Sequence, residues 1–315
     1  MRSEATQPLE VRDSRNGVRE PAFVIAGHVT PTNELLLGAL HEHGVQAVVV
    51  EPDALGRLVL EGDVILGRID VRRTLDGIEE GIWELQAAER RGARVLNRAS
   101  ALIACHDKLQ TALRLAGSSV PHPATSLIGP GTRLAPVEFP VVVKPRFGSW
   151  GRDVVLCDSA REFRRCLRRI RKRPWFRRHG ALVQRLIPPL GVDLRLVVAR
   201  GQVVGAIERV AAPGEWRTNV ALGGSRRPVS PPQSARELAV AAAAAVGTDL
   251  VGVDLLPLGD GSYIVLELNG AADFTAEYSL VRGEIFDQVA ALFVSSPTPS
   301  PDAGSEYRED VPSPS

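Results

Sequence analysis

Apolar residues in the first third of this chain fall into short continuous runs separated by stretches with helical spacing. Residues 22–27, 45–50, 63–67 and 94–96 read as strands, and residues 33–43 and 78–92 as helices between them. Strands that are apolar throughout are buried on both faces. Residues 21–98 are therefore predicted to form an α/β subdomain in which helices cover a small parallel sheet. Ser100 is the expected N-cap of a helix that runs to Leu115, with Gly117 stopping it.

Beyond Pro121 the pattern changes. A strand at 141–144, a glycine turn, a strand at 154–156 and a helix from Ser159 predict a small α+β lobe over about 121–183. From residue 181 strands dominate, at 181–184, 193–199 and 202–209, with Arg200-Gly201 as a tight turn between the last two. An alanine-rich helix at 234–246 closed by Gly247, strands at 250–256 and 263–268 joined through Gly259-Asp260-Gly261, and a helix at 284–294 complete a larger lobe over about 184–294. Both lobes fall within one unit, 99–294. Residues 1–20 and 295–315 lack periodicity and carry mostly charge, Pro and Ser, so both ends are expected to be disordered.

Composition narrows the classes. The 315 residues are 44% hydrophobic, enough for two or three packed subdomains, and the net charge of +1 supplies no overall field for nucleic acid or an acidic membrane. Cys105, Cys157 and Cys166 have no Cys-x-x-Cys spacing, which fits a reducing, cytoplasmic setting. No run is apolar for long enough to span a bilayer, and residues 1–20 contain no apolar stretch of a secretory signal.

Several residues carry candidate chemistry. Lys144 ends an apolar strand and is followed by Pro145 and Gly148-Ser149-Trp150-Gly151, which sets a fixed cation beside a loop whose backbone N–H groups can approach phosphate. The lysine precedes the glycines, so this is not the Gly-x-x-x-x-Gly-Lys-Ser/Thr loop, and an ordinary hairpin turn is the bland reading. Asp254 and Glu267 sit inside apolar strands, where a carboxylate is costly without a cation or donors. Glu267 and Asn269 share a strand face; if the two strands form a hairpin, Asp254 faces Glu267, and three oxygen ligands beside a triphosphate suit magnesium. Asp254 and Glu267 lie outside the apolar core proper, so Ala is expected at either position without loss of fold.

Arg195, Arg209 and Arg217 need acidic counterparts. These are either a transferring phosphoryl group with an acidic substrate, or the neighbouring Asp193, Glu208 and Glu215. The run 161–179 is basic at most positions and opposed only by Glu162. Phe163, Leu167 and Ile170 at helical spacing favour a solvated helix face, with a docking face for an acidic protein, carrier or nucleic acid as the alternative. Six scattered histidines give zinc no support, and no Gly-x-Ser-x-Gly supports a serine hydrolase.

Taken in order, these segments resemble the ATP-grasp superfamily, and within it the RimK-like carboxylate–amine ligases of the alpha-L-glutamate type. The likeness spans about residues 60–290. It is carried by 66–70 (LGRID), 95–100 (VLNRAS), 106–108 (HDK), 143–145 (VKP) with its glycine loop, 182–184 (LVQ), 193–195 (DLR), 216–219 (WRTN) with Gly223-Gly224, 252–254 (GVD) and 267–269 (ELN). The resemblance implies an ATP-grasp fold behind a small parallel-sheet subdomain. It implies that Lys108, Lys144, Gly148, Ser149 and Gly151 meet the nucleotide phosphates, that Gln184, Arg185 and Leu186 contact adenine, and that Asp193 lies near the ribose. By the same likeness Asp254, Glu267 and Asn269 hold two magnesium ions, replaceable by manganese, and Arg195, Arg209, Arg217 and Asn219 surround the reacting groups.

The implied reaction joins an amino acid to a peptide, protein or small-molecule acceptor through an acyl phosphate, with glutamate as the family's usual addition. Membrane and nucleic-acid partners are not expected, and a homo-oligomer is left open. The chain departs from the family pattern at Arg185, at Trp150 and Arg152, and at Asn269-Gly-Ala-Ala-Asp-Phe274, where many members have Asn followed by Ser-Pro-Gly. The metal ligands are intact and the substrate loop is altered. The reading from another class is a non-catalytic ATP-binding module that docks a partner through residues 161–179.

Overall fold

The computed structural model describes residues 23–58, 62–132, 136–281 and 283–295. Of the ends expected to be disordered, residues 1–20 and 296–315 lie outside the described residues, while Ser295 closes the last helix.

The N-terminal segment forms β1 (Phe23–Ala26), α1 (Pro31–Glu42), β2 (Ala47–Val50), α2 (Leu55–Leu58), β3 (Val64–Gly67), α3 (Ile82–Arg90) and β4 (Arg94–Leu96). The four strands make a parallel sheet in the order β2-β1-β3-β4. Thr30 caps α1 by accepting from the Asn33 N–H, and Pro31 fills the first helical position, where no donor is lost. The helix expected over 78–92 starts later. Ile78 bridges to Val71 instead, and Gly81 at φ 95° leads into α3.

The helix expected from Ser100 to Leu115 is also two helices, α4 (Ala99–His106) and α5 (Lys108–Gly117), and Ser100 lies inside the first turn rather than at the cap. The break is at Asp107. Its extended backbone lets its carboxylate accept from the Leu109 and Gln110 N–H groups while binding Arg146 at 2.7 and 2.5 Å.

A second, antiparallel sheet in the order β5-β8-β6-β7 follows, from β5 (Thr125–Ile128), β6 (Val141–Pro145), β7 (Val155–Cys157) and β8 (Ala181–Arg185). Helices α6 (Ala160–Ile170) and α7 (Pro174–His179) cover one of its faces, with Phe163, Cys166, Leu167, Ile170, Trp175 and Phe176 packed on Val141, Val143 and Val183. Because strand side chains alternate, Val142 and Lys144 point the other way.

The third sheet is antiparallel, in the order β11-β10-β9-β12-β13. It consists of β9 (Val192–Ala199), β10 (Gln202–Val210), β11 (Ser225–Pro228), β12 (Leu250–Pro257) and β13 (Tyr263–Asn269). Leu194, Leu196 and Val198 pack towards the alanines of α8 (Gln233–Val246), and Val197 and Ala199 towards α9 (Ile285–Ser295) and the N-terminal unit.

One buried side chain joins the N-terminal sheet to this one. Asn97, fully buried and at φ 52°, donates through Nδ2 to the Leu250 carbonyl at 2.7 Å and accepts through Oδ1 from the Asp249 and Leu250 N–H groups at 2.8 and 3.0 Å. Its own N–H donates to Asp249 Oδ2 at 2.9 Å. Asn tolerates the left-handed conformation better than other non-glycine residues, and its amide offers both a donor and an acceptor. Asn97→Ala strands these buried backbone groups, and a loss of about 2–4 kcal/mol is expected in urea unfolding. A loss below about 0.5 kcal/mol, the size of an ordinary surface change, overturns the assignment.

Candidate active site

The register of the third sheet builds the site. Asp254 on β12 lies opposite both Arg195 on β9 and Glu267 on β13, and Arg209 on β10 lies opposite Asp193 on β9. These residues share the sheet face that, further along, carries Val197 and Ala199 into the core. A bulge between Asp254 and Leu255 breaks the alternation on β13. Val265 and Leu268 enter the core, while Leu266 and Glu267 both face the cleft. The hairpin and the facing of Asp254 and Glu267 hold as the sequence predicts.

The charges in this row alternate in sign. Arg195 grips Asp254 with two bonds of 2.6 and 2.7 Å, Arg209 grips Asp193 with 2.7 and 2.6 Å, and Arg209 Nη2 reaches Asp254 Oδ2 at 2.8 Å. Thr218 Oγ1 donates to Asp193 at 2.5 Å. Burial works against the Asp254 charge, but Arg195 and Arg209 outweigh it and hold its carboxyl well below the usual range. Burial pushes the Asp193 carboxyl up against the pull of Arg209. The Arg209 guanidinium, although buried, is held charged by Asp254 and Asp193.

Across the cleft stands Lys144. It is 5% exposed, its Nζ donates to Gln184 Oε1 at 2.8 Å, and Gln184 Nε2 donates on to Thr125 Oγ1 at 2.9 Å. Among the described residues it makes no ion pair, and burial lowers its ammonium to about 8. Lys108 Nζ donates to the Gly148 carbonyl at 2.6 Å and pairs with Glu267 at 3.3 Å; burial opposes the Glu267 charge, and chiefly Lys108 holds its carboxyl below the usual range. Residues 148–153 hang over the cleft, with Trp150, Gly151 and Asp153 at φ 56°, 67° and 53°. A Cβ on Gly151 would come within 2.9 Å of Asn219 Oδ1, so glycine is required by contact and by backbone. Arg217 Nη1 donates to the Gly151 carbonyl at 3.1 Å while its Nε and Nη2 bind Glu215 at 2.9 and 2.8 Å.

The cleft between the second and third sheets holds about 1000 Å³, part of it open to solvent. Lys108, Lys144, Gly148, Ser149, Gly151, Gln184, Arg185, Leu186, Asp193, Arg209, Arg217, Asn219, Asp254 and Glu267 all line it. Arg195 stands behind Asp254, and Asn269 lies one pleat beyond the lining with its Oδ1 accepting from the Ala271 N–H at 2.9 Å. Sequence reasoning missed Thr218, and it missed the apolar walls at Val142, Ile187, Leu256 and Leu266, which read as ordinary core positions. Of the ion pairs weighed from sequence, Arg209–Asp193 and Arg217–Glu215 form, whereas Glu208 pairs with Arg227.

The donor chemistry fits magnesium. A carboxylate offers about four lone-pair sites, of which three on Asp254 are used by arginines, leaving one on Oδ1. The Glu267 side chain is 27% exposed and pairs with Lys108 among the described residues. Two hard oxygen donors on adjacent strands match an ion that takes one or two carboxylates alongside phosphate oxygens.

The expectation that Asp254 can be replaced without cost to the fold is corrected by this geometry, because it is buried between two guanidiniums. Asp254→Ala is expected to lower stability by about 3–5 kcal/mol, the cost of leaving buried charges unpaired, and Glu267→Ala by clearly less, because Glu267 is part-exposed and pairs with Lys108 alone among the described residues. Thermal unfolding of the two variants side by side checks this, and equal melting temperatures would sink it.

A family model for the RimK-like ATP-grasp domain matches residues 105–290. The chain is 32% identical to Beta-citrylglutamate synthase B of Mus musculus over 226 residues, covering 68% of this chain and 57% of that protein. It is 30% identical to N-acetylaspartylglutamate synthase A of Homo sapiens over 240 residues, 74% of this chain and 57% of that protein. Glutamate–LysW ligase ArgX of Sulfurisphaera tokodaii is 28% identical over 258 residues, 80% of this chain and 90% of that one. The chain thus spans little more than half the length of the two synthases. Among solved structures, D-alanine–D-alanine ligase from Bacillus anthracis superposes with a TM-score of 0.64 at 15% identity, covering 87% of this chain and 96% of that one. A RimK domain ATP-grasp protein from Sphaerobacter thermophilus gives 0.60 at 21% identity, with 86% and 98% covered. The fold is therefore ATP-grasp, preceded by a parallel-sheet unit, and the chain belongs to the RimK-like ATP-grasp family.

Proposed function

We propose that the chain is an ATP- and magnesium-dependent ligase that joins a carboxylate to an amine through an acyl phosphate. The observation that carries this reading is Lys144, a buried cation without an ion-pair partner among the described residues, facing a row in which Asp193, Arg209, Asp254 and Arg195 balance one another. A buried ammonium left in that state is stabilised by an anion entering the cleft.

In this reading Lys144, Lys108 and the backbone of residues 148–151 bind phosphate oxygens, and Gln184, Arg185 and Leu186 with the apolar walls hold the adenine. Asp193 lies by the ribose. Asp254 and Glu267, with Asn269 as a further ligand, would hold two magnesium ions, replaceable by manganese, which when bound would supply charge neutralisation to the transferring phosphate. Arg217 and Asn219, beside the glycine loop, and Arg209 steady the substrate carboxylate as its oxygen attacks the γ-phosphorus and ADP departs. Arg195 acts through Asp254, which it orients. The amine nitrogen then attacks the acyl carbon, inorganic phosphate leaves with the C–O bond electrons, and the amine proton passes to solvent. Such chemistry is positioning and charge neutralisation, and no protein nucleophile is needed.

The nucleotide lies between a smaller lobe, about 121–183, and a larger one, about 184–294. Glutamate is the proposed amino acid, on the names of the two synthases and of the LysW ligase; the acceptor is a peptide, protein or small molecule. Among the described residues no helix is long and apolar enough to cross a membrane, and the three free cysteines are buried, in keeping with a cytoplasmic protein.

Phosphate release from ATP with magnesium, across amino acids alone and in pairs, tests the reading. Release is expected to require a particular pair and to fall at least about 100-fold in Lys144→Ala. Nucleotide binding without release under any pairing counts against ligation and for the non-catalytic module.

A pH dependence follows from the lowered Lys144 ammonium. It is charged below about 8 and neutral above, so ATP affinity is expected to weaken as pH rises through that value, while Lys144→Met binds weakly and without that step. Folding stability of the empty protein moves the other way. The unfolded lysine titrates near 10.5, so between 8 and 10.5 the unfolded chain holds more protons and stability rises with pH. Titration of ATP binding by fluorescence across pH 7 to 10 measures the first effect.

A further inference from the structure

We propose that the exposed face of α6 and α7 is a docking surface for an acidic peptide or protein segment, which it delivers to the mouth of the cleft. The identity of the delivered group rests on the ligase reading; the docking itself does not. Residues 161–179 carry nine arginines and one lysine against Glu162 alone, in a chain whose net charge is +1. All ten cations are exposed.

Few of these charges are answered by opposite ones, so they repel along one face. Here Arg165 pairs with Glu162, Arg173 with Asp153 and Arg178 with Asp76, while Arg161, Arg164, Arg168, Arg169, Arg171, Lys172 and Arg177 have no ion pair among the described residues. On α6 the inward side is Phe163, Cys166, Leu167 and Ile170, and its five arginines cover a continuous outer arc of about 140° at the α-helical 100° per residue. Like charges three and four residues apart destabilise a helix. The helix dipole favours cations only in the last turn, so Arg161 and Arg164 serve neither helix nor core. A polyanion supplies what they lack.

The surface is also tied to the site. Arg178 Nη1 bonds the Asp76 carboxylate at 2.7 Å and His179 Nε2 lies 2.8 Å from its carbonyl, on the loop after β3. Trp175 Nε1 donates to Asp153 at 2.9 Å, at the end of the loop whose Gly148, Gly151 and Arg152 line the cleft. The basic face therefore ends where the cleft opens. Arginine forks match carboxylates bidentately, and the aromatic rings here, Phe163, Trp175 and Phe176, are buried and leave no platform for stacking bases. The fork fits phosphate equally well, so it is the burial of the rings under this face that favours an acidic protein segment over a nucleic acid.

The test uses the full chain, a labelled twenty-residue peptide alternating Glu with Gly and Ser, a neutral control peptide and a single-stranded oligonucleotide of matched charge. The Glu peptide is expected to bind with affinity that falls as salt rises, and to lose at least about tenfold in the Arg164→Glu/Arg168→Glu/Arg171→Glu variant, while ATP affinity stays within about twofold. Should the charge reversal impair folding, the three Gln substitutions give the same comparison in milder form. Equal binding by wild type and variants overturns the proposal, as does tighter binding of the oligonucleotide, which assigns the face to nucleic acid. Docking without phosphate release leaves the surface standing and removes the ligase reading, and release without docking does the reverse.

Discussion

The site depends on one constraint, that four charges buried in adjacent strands must balance. Asp193, Arg209, Asp254 and Arg195 alternate in sign across β10, β9 and β12, each carboxylate held by at least one bidentate guanidinium. Taking any one of them out of water unpaired costs several kcal/mol, so the four persist as a unit or not at all. That unit leaves its face of the sheet nearly neutral. Glu267 is answered by Lys108, and among the described residues Lys144 is a buried cation of the cleft without such an answer. An anion site is thus defined by subtraction, and it lies opposite carboxylate oxygens that still have lone pairs to offer.

This balance also explains which parts of the molecule can be read from sequence. Most of the strands are legible: those of the parallel sheet, β6 and β12 are largely apolar and β9 alternates, whereas the short polar β5 and β11 show neither pattern. Residues 193–199 carry Leu194, Leu196 and Val198 on one face and Asp193, Arg195, Val197 and Ala199 on the other. The Asp254–Glu267 facing is legible for the same reason, since a hairpin fixes the register. What period alone misses is set by contacts distant in sequence. Asp107 breaks a helix that propensity would continue, because its carboxylate is claimed by Arg146 thirty-nine residues on. Asp254 reads as a free metal ligand until Arg195 and Arg209 are seen to flank it, because the turn at Arg200-Gly201 joins β9 to β10 but no pattern pairs β9 with β12. The apolar walls of the cleft are invisible for a different reason: a leucine that lines a pocket and one that fills a core have the same chemistry.

The N-terminal unit is joined to the third sheet through polar groups as much as through apolar packing. Asn97 holds β12 and the end of β4 together, and Arg68, almost completely buried, donates to Asn33 Oδ1 and to the Ala272 carbonyl at 2.8 Å while lying over the Phe274 ring. Burial lowers the Arg68 guanidinium to about 10, against the opposing pull of Asp273 and Asp70. Thr32 closes the contact by exchanging hydrogen bonds with the Phe274 N–H and carbonyl at 3.2 and 3.1 Å. Groups of this kind specify one arrangement, because a slipped interface strands each of them.

The segment thus held is residues 270–274, after Asn269, and its composition has a steric logic. Gly270 sits against α4, where a Cβ would come within 2.6 Å of Leu102, and Ala272 packs on Gly252 so closely that a Cβ there would lie 2.7 Å away. Small residues let this loop lie flat against the N-terminal unit, where Arg68 and Thr32 hold its backbone. A bulkier turn would stand away from that surface. The path of the chain after Asn269 is therefore set jointly by the small residues of this loop and by Arg68 and Thr32 of the preceding unit, which hold its backbone.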